Sequence, residues 1–174
     1  MAKIRVFADT NVILESFRTN CWTAISNHFS IETVQKCVEE TLTGNPSDRH
    51  HIDVHPTILH KSLAGQHPVT DKELVSLVLN YPFCSTLDDG EKHLLAWLFA
   101  NKRLMSSPTV VLTTADKAAL NAIHKLEWLD YAVSLENLAR QAGVANKNLR
   151  SLALQYREDW LARIKLNIRI DSFS

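Results

Sequence analysis

Apolar and polar positions alternate along this chain in a way that predicts strands followed by helices. The run Ile4-Arg5-Val6-Phe7-Ala8 is rich in strand formers and stops at the polar cluster Asp9-Thr10-Asn11, which predicts a strand opening into a helix over 12–17. A second helix is expected over 22–29 and a short strand over 29–32. A helix over 33–42 would carry Val34, Cys37, Val38 and Leu42 on one side. Further along, 71–79 reads as helix, 83–86 as a short strand, 88–103 as helix and 110–113 as a buried strand. The pattern then predicts helix over 115–126, a short strand at 132–133 and helix over 135–141. The last stretch, 146 to about 164, reads as one long amphipathic helix with Leu149, Leu152, Ala153, Tyr156, Trp160 and Ile164 as its apolar stripe.

Strands alternating with helices predict an α/β fold, a three-layer α/β/α arrangement with a central, mostly parallel sheet. At 174 residues the chain suits one domain, expected over 1–145, with 146–174 as a helical extension packed on it or on a partner. Residues 44–70 hold three of the five prolines and five of the eight histidines, and read as an excursion with one short helix. Nineteen basic residues balance nineteen acidic ones, so no global positive field marks a nucleic-acid binder, although a local patch would suffice. No apolar run approaches the ~18 residues of a membrane span. The first ten residues lack the apolar core of a secretory signal, so a cytoplasmic protein without membrane contact is expected. Cys21, Cys37 and Cys84 are odd in number and far apart, which argues against a disulfide framework or a zinc knuckle.

In parallel α/β sheets, residues that do chemistry sit just beyond the carboxyl ends of the strands. Asp9 ends the first expected strand and Asp116 lies just past the strand at 110–113. Glu91 falls in the first turn of its helix and shares the i, i+3, i+4, i+7 face of Leu94, Leu95 and Leu98. Glu39 and Glu40 come late in the second-strand helix and flank its apolar stripe at similar angles. Carboxylates gathered at one edge repel one another and raise each other's pKa, a conflict that a divalent cation removes. Oxygen-only donors suit Mg²⁺ or Mn²⁺.

At these residues the chain resembles the PIN domain family of metal-dependent nucleases. The matching segments are Phe7-Ala8-Asp9-Thr10-Asn11-Val12-Ile13-Leu14, Val38-Glu39-Glu40-Thr41-Leu42, Leu87-Asp88-Asp89-Gly90-Glu91 and Val111-Leu112-Thr113-Thr114-Ala115-Asp116-Lys117, in the family's order across roughly residues 1–142. The resemblance implies an acidic pocket that binds Mg²⁺ or Mn²⁺ and hydrolysis of phosphodiester bonds, in RNA more than in DNA. It implies catalytic roles for Asp9, Glu40, Glu91 and Asp116, with Asp9, Glu91 and Asp116 on the metal, and pocket hydrogen bonds from Asn11 and Thr114. Glu40 is preferred to Glu39 on its family-like spacing after Cys37. A toxin ribonuclease of a bacterial toxin–antitoxin pair is one form this could take, with an antitoxin protein or a second copy of the chain as partner. The alternative is a catalytically silent PIN-like module that binds nucleic acid or protein.

Plainer roles compete for the same residues. Asp9 can cap a helix, Asp88-x-x-Glu91 fits a capping box, and Thr113 or Thr114 can cap the helix that follows them. A phosphatase with an aspartyl nucleophile would need a second carboxylate where Asn11 stands. His50, His51, His55, His60 and His67 invite a zinc reading through the i, i+4 pair His51 and His55, but Asp53 and Pro56 fit a solvated or partner-contacting loop better. Residues 146–174 carry six basic and three acidic residues. Arg150, Arg157 and Arg163 around Tyr156 and Trp160 suggest a nucleic-acid contact, against which the two aromatics lie on the apolar stripe and are expected in the core.

Overall fold

A computed structural model describes residues 3–44 and 51–172. In chain order the elements are β1 (Arg5–Ala8), α1 (Thr10–Arg18), α2 (Trp22–His28), β2 (Ser30–Val34), α3 (Gln35–Leu42), α4 (Pro56–Ser62) and β3 (Gly65–His67). There follow α5 (Asp71–Asn80), α6 (Asp89–Ala100), β4 (Val110–Thr113), α7 (Lys117–Lys125), α8 (Leu135–Gln141), α9 (Asn146–Arg150) and α10 (Glu158–Asp171). The strands form one all-parallel sheet in the order β3-β2-β1-β4, with Phe7 in register with Glu32 on one side and Leu112 on the other.

Helices cover both faces, the three-layer α/β/α arrangement that the alternation predicts. Val6, Ala8 and Ile31 pack with α1, α2, α4 and α8 on one face. Their strand neighbours Phe7, Val34, Val110 and Leu112 point the other way and pack with α5, α6, α7 and α10. This is why β1 and β4 are nearly continuous apolar runs: a strand covered on both sides has no solvent face to make polar. Because β2 and β4 flank β1 on opposite sides, the winding reverses at β1 and leaves a crevice at the carboxyl ends of β1 and β4.

The structure departs from the sequence pattern in four places. Residues 82–86 form a 3₁₀ turn and not a strand: Pro82 has no N–H for a ladder, and the Ser85 and Thr86 hydroxyls bond back to the carbonyls of Pro82 and Phe83. The helix expected over 88–103 ends at Ala100 and continues as a 3₁₀ turn over Lys102–Ser106. The excursion at 44–70 is more than a loop with one helix, since β3 adds an edge strand to the sheet beside β2.

The fourth difference is the tail. The expected single helix from 146 to 164 is broken into α9, a 3₁₀ turn at Leu154–Tyr156 and α10. Leu149, Leu152 and Tyr156 belong to the core on one face of the sheet, whereas Leu161, Ile164 and Ile168 belong to the core on the other. A straight helix cannot serve both faces. Backbone groups freed at the break find side-chain partners: the Ala153 amide donates to Glu15 Oε1 at 2.8 Å, and Arg157 donates to the carbonyls of Arg150 and Leu152. The tail meets the rest of the chain through the Glu15 bond and through these apolar residues on both faces of the sheet.

Candidate functional site

Asp9 sits where β1 ends and α1 begins. It is the helix cap, as its composition allows: Oδ1 accepts the Val12 amide at 2.8 Å. Capping uses one oxygen only. Oδ2 is buried and has no hydrogen-bond partner, in a residue only 2% exposed. An unsatisfied buried acceptor costs about 1–3 kcal/mol, and more when it is charged. Burial raises the Asp9 pKa to about 6, with Asp116 and Glu40 adding to the rise against the nearby Thr114 hydroxyl and the Val12 amide.

Glu91 stands in the first turn of α6. The capping box that competes for Asp88 and Glu91 does not form, since the Asp88 side chain makes no cap hydrogen bond. Glu91 instead points to the buried face, where burial first and then Asp116, Asp9, Asp88 and Glu40 push its pKa up to about 8. Beneath it and Asp9 lies an apolar floor of Phe7, Leu94, Leu112 and Ile123, which is the physical source of the desolvation. Burial and these like charges favour the protonated form of Glu91 when no cation is bound.

Glu40 and Glu39, indistinguishable by helix angle, are separated by the fold. The Glu39 side chain is 63% exposed and faces Lys36 at 3.5 Å. Glu40 reaches across to α6, accepting the Gly90 amide on Oε1 at 3.0 Å and the Thr10 hydroxyl on Oε2 at 2.6 Å. That amide belongs to the positive end of α6, which offsets the unfavourable position of a glutamate late in α3. Gly90 suits the close approach, because a Cβ there would displace Glu40 Oε2 and meet Thr10 Oγ1 at 3.0 Å. Sequence reasoning missed Thr10 and Gly90 as parts of the site. Both stand inside matching segments, but only the contact across α1, α3 and α6 gives them this role.

Asp116 caps α7 through Oδ1, which accepts the Ala119 amide at 2.9 Å. Its own amide donates to Thr114 Oγ1 at 3.2 Å, so Thr114 braces the loop after β4, and the helix cap falls to Asp116 itself. The neighbouring Thr113 hydroxyl is buried without a partner. Asn11 is exposed on the rim. Asp9, Thr10, Asn11, Glu40, Asp88, Asp89 and Glu91 line a cavity of about 290 Å³, and none of these is basic.

The donors around this cavity are carboxylate oxygens, the set that suits Mg²⁺ or Mn²⁺, and Asp9 Oδ2 is an acceptor in want of a positive partner. As the side chains stand, no three His, Cys, Asp or Glu among the described residues gather closely enough to hold a metal ion. No protein-family model matches the chain, and no curated protein matches it. Among the described residues no helix is long and apolar enough to cross a membrane.

The histidines of the excursion have separate surroundings. His50 lies outside the described residues. His55 stands just before α4 without a side-chain cap bond and His51 lies further upstream, so the pair does not share a helical face. His60 bonds Gln66 at 2.8 Å. His67, far from a solvated loop, stacks on Trp97 at 3.8 Å and bonds Glu32 at 2.7 Å. In the tail, Tyr156 is buried and Trp160 packs half-buried on the core, as the stripe predicts.

Proposed function

We propose that this chain is a PIN-type nuclease that hydrolyses phosphodiester bonds, in RNA ahead of DNA, with Mg²⁺ or Mn²⁺ as cofactor. The observation that carries this reading is the buried Asp9 Oδ2, which makes no hydrogen bond and whose carboxyl faces the like charges of Asp116 and Glu40. A helix cap does not need that second oxygen. Asp9, Glu91 and Asp116 are the residues that would hold the cation, whose chemistry is to neutralise charge on the phosphate and lower the pKa of a bound water. Glu40, fixed by Thr10 and Gly90, would hold the first turns of α1 and α6 in place around the phosphate. A bound cation would favour the carboxylate form of Glu91, so binding should lower the pH of a weakly buffered sample. On this reading the protein works in the cytoplasm and, if it is a toxin, is restrained by an antitoxin protein.

One observation favours the silent-module reading: both Glu40 oxygens are engaged and the acidic side chains are not gathered into a cage. Calorimetric Mn²⁺ titration of wild type and Asp9→Asn, beside cleavage of a mixed RNA ladder, separates the two. Binding that needs Asp9 and cleavage that stops in EDTA are expected, with at least a hundredfold loss in the variant. Wild-type protein that neither binds Mn²⁺ nor cleaves would leave the silent module.

A further inference from the structure

None of the residues lining the crevice that holds Asp9 is basic, Lys92 at its rim is paired with Asp89, and the chain's overall charge is zero. Positive surface has to come from elsewhere. The cavity between α8, α9 and the start of α10 provides it. It measures about 270 Å³ and is lined by Glu136, Arg140, Asn146, Leu149, Arg150 and Arg157. Three guanidinium groups against one carboxylate give this lining a net charge of +2, counted from those six residues.

The arginines are not equivalent. Arg157 is ordered by three bonds to backbone carbonyls of Arg150 and Leu152, at 3.0 to 3.1 Å. Arg140 is held by Glu136 Oε1 at 2.7 Å, while the other oxygen of Glu136 accepts the Glu158 amide at the head of α10. Arg150 is exposed, and among the described residues its guanidinium has no carboxylate or carbonyl partner. One unpaired guanidinium beside two ordered ones in a concave polar cavity is the arrangement that recognises a phosphate through charge-assisted bonds. Tyr156 is buried, Trp160 is half-buried against the core and no aromatic side chain lines this cavity, so recognition here is of backbone and not of base.

We propose that the Arg140–Arg150–Arg157 cavity binds the phosphate backbone of a single-stranded nucleic acid, holding it for the Asp9 crevice. The identity of the ligand as substrate rests on the nuclease reading. The two places lie at opposite ends of α1: Asp9 caps its first turn, and Arg18 in its last turn donates to the Ser151 carbonyl at 2.7 Å, next to Arg150. Nine residues of helix span about 14 Å.

The test is fluorescence anisotropy with a labelled single-stranded RNA in EDTA, where cleavage is off, on wild type, Arg150→Ala and Arg140→Ala. Both side chains are exposed, so folding should survive, and circular dichroism checks it. Arg150→Ala is expected to weaken binding about tenfold for every sequence tried and to lower the salt slope by about one. Arg140→Ala should have a smaller effect, since Glu136 already neutralises part of its charge. Wild-type affinity in Arg150→Ala, or no RNA binding by wild type, overturns the proposal. Inorganic pyrophosphate that binds the wild type while RNA does not would assign the cavity to a small phosphate ligand and overturn it too. Protein that still cleaves RNA with Mn²⁺ while Arg150→Ala binds normally would sink this site and leave the nuclease reading intact.

Discussion

Two sets of buried acids share one sheet and meet opposite fates. Glu32, in the middle of β2, is 6% exposed and takes Arg5 Nε at 2.6 Å, Arg5 Nη2 at 2.9 Å and His67 Nε2 at 2.7 Å. Burial alone would raise its pKa, but these partners hold it below the usual carboxylate value. Glu15, also buried, is paired with Arg18 and bonded to the Ala153 amide. Asp9 and Glu91 are buried to a similar degree and face other carboxylates. Glu32 and Glu15 are each neutralised by an arginine, whereas Asp9 and Glu91 have no basic partner. Acids kept without partners at a structural cost are candidates for function, whereas paired ones are accounted for by the fold.

The largest test of this contrast is pH. In metal-free protein the folded pKa values of Asp9 and Glu91, about 6 and about 8, lie above their ordinary values of 3.8 and 4.5. The native state then binds more protons than the unfolded one between those limits, so stability is full below about pH 4 from these groups and is lost as pH rises through the folded values. Urea melts in EDTA should lose several kcal/mol between about pH 5 and about pH 9, Glu91→Gln should flatten the upper part of that slope, and Mn²⁺ should restore stability at the alkaline end. A flat profile in EDTA would mean that the crevice acids are solvated or paired after all.

Next in size is the paired set. Glu32→Gln leaves Arg5 and His67 without their carboxylate and should cost about 2–3 kcal/mol at neutral pH, less than the ~3–5 kcal/mol of a fully buried broken pair because Arg5 is one third exposed. Asp9→Asn should instead leave metal-free stability equal or higher, since it removes an uncompensated charge and keeps the cap oxygen. Denaturation curves showing the same sign for both would erase the distinction.

The smallest effect is expected at Gly90. Alanine in a helix usually gains about 0.8–1 kcal/mol over glycine, but here its Cβ displaces Glu40 and strains the bond from the Gly90 amide. A bond to a charged acceptor is worth about 1.5–3 kcal/mol, so Gly90→Ala should lose about 1 kcal/mol net and impair cleavage as Glu40→Gln does. Glu39→Gln should do neither. A stabilised Gly90→Ala protein would show that Glu40 moves aside freely.

Much of the framework was legible beforehand. The apolar runs at 4–8 and 110–113 became β1 and β4, and the polar residues that stop them, Asp9 and Thr114, lie at the crevice. Glu91 was placed on the buried face by spacing with Leu94, Leu95 and Leu98, and it lies there. The tail misled because 3.6-residue periodicity continued across Ser151–Arg157 although the two halves of the stripe serve different cores. β3 was illegible because Gly65–His67 has no strand-forming residue, and it pairs only because β2 offers it an edge.

By itself, then, the sequence determined which positions leave water and with what period, because that depends on each residue and its near neighbours. From this follow the layers, the parallel sheet and the acids at the strand ends. The tertiary structure decided which acids acquire partners. Arg5 meets Glu32 from 27 residues away, Gly90 meets Glu40 from 50, and Ala153 meets Glu15 from 138. No local pattern encodes such meetings, and they alone separate a buried carboxylate that braces the fold from one left open for chemistry.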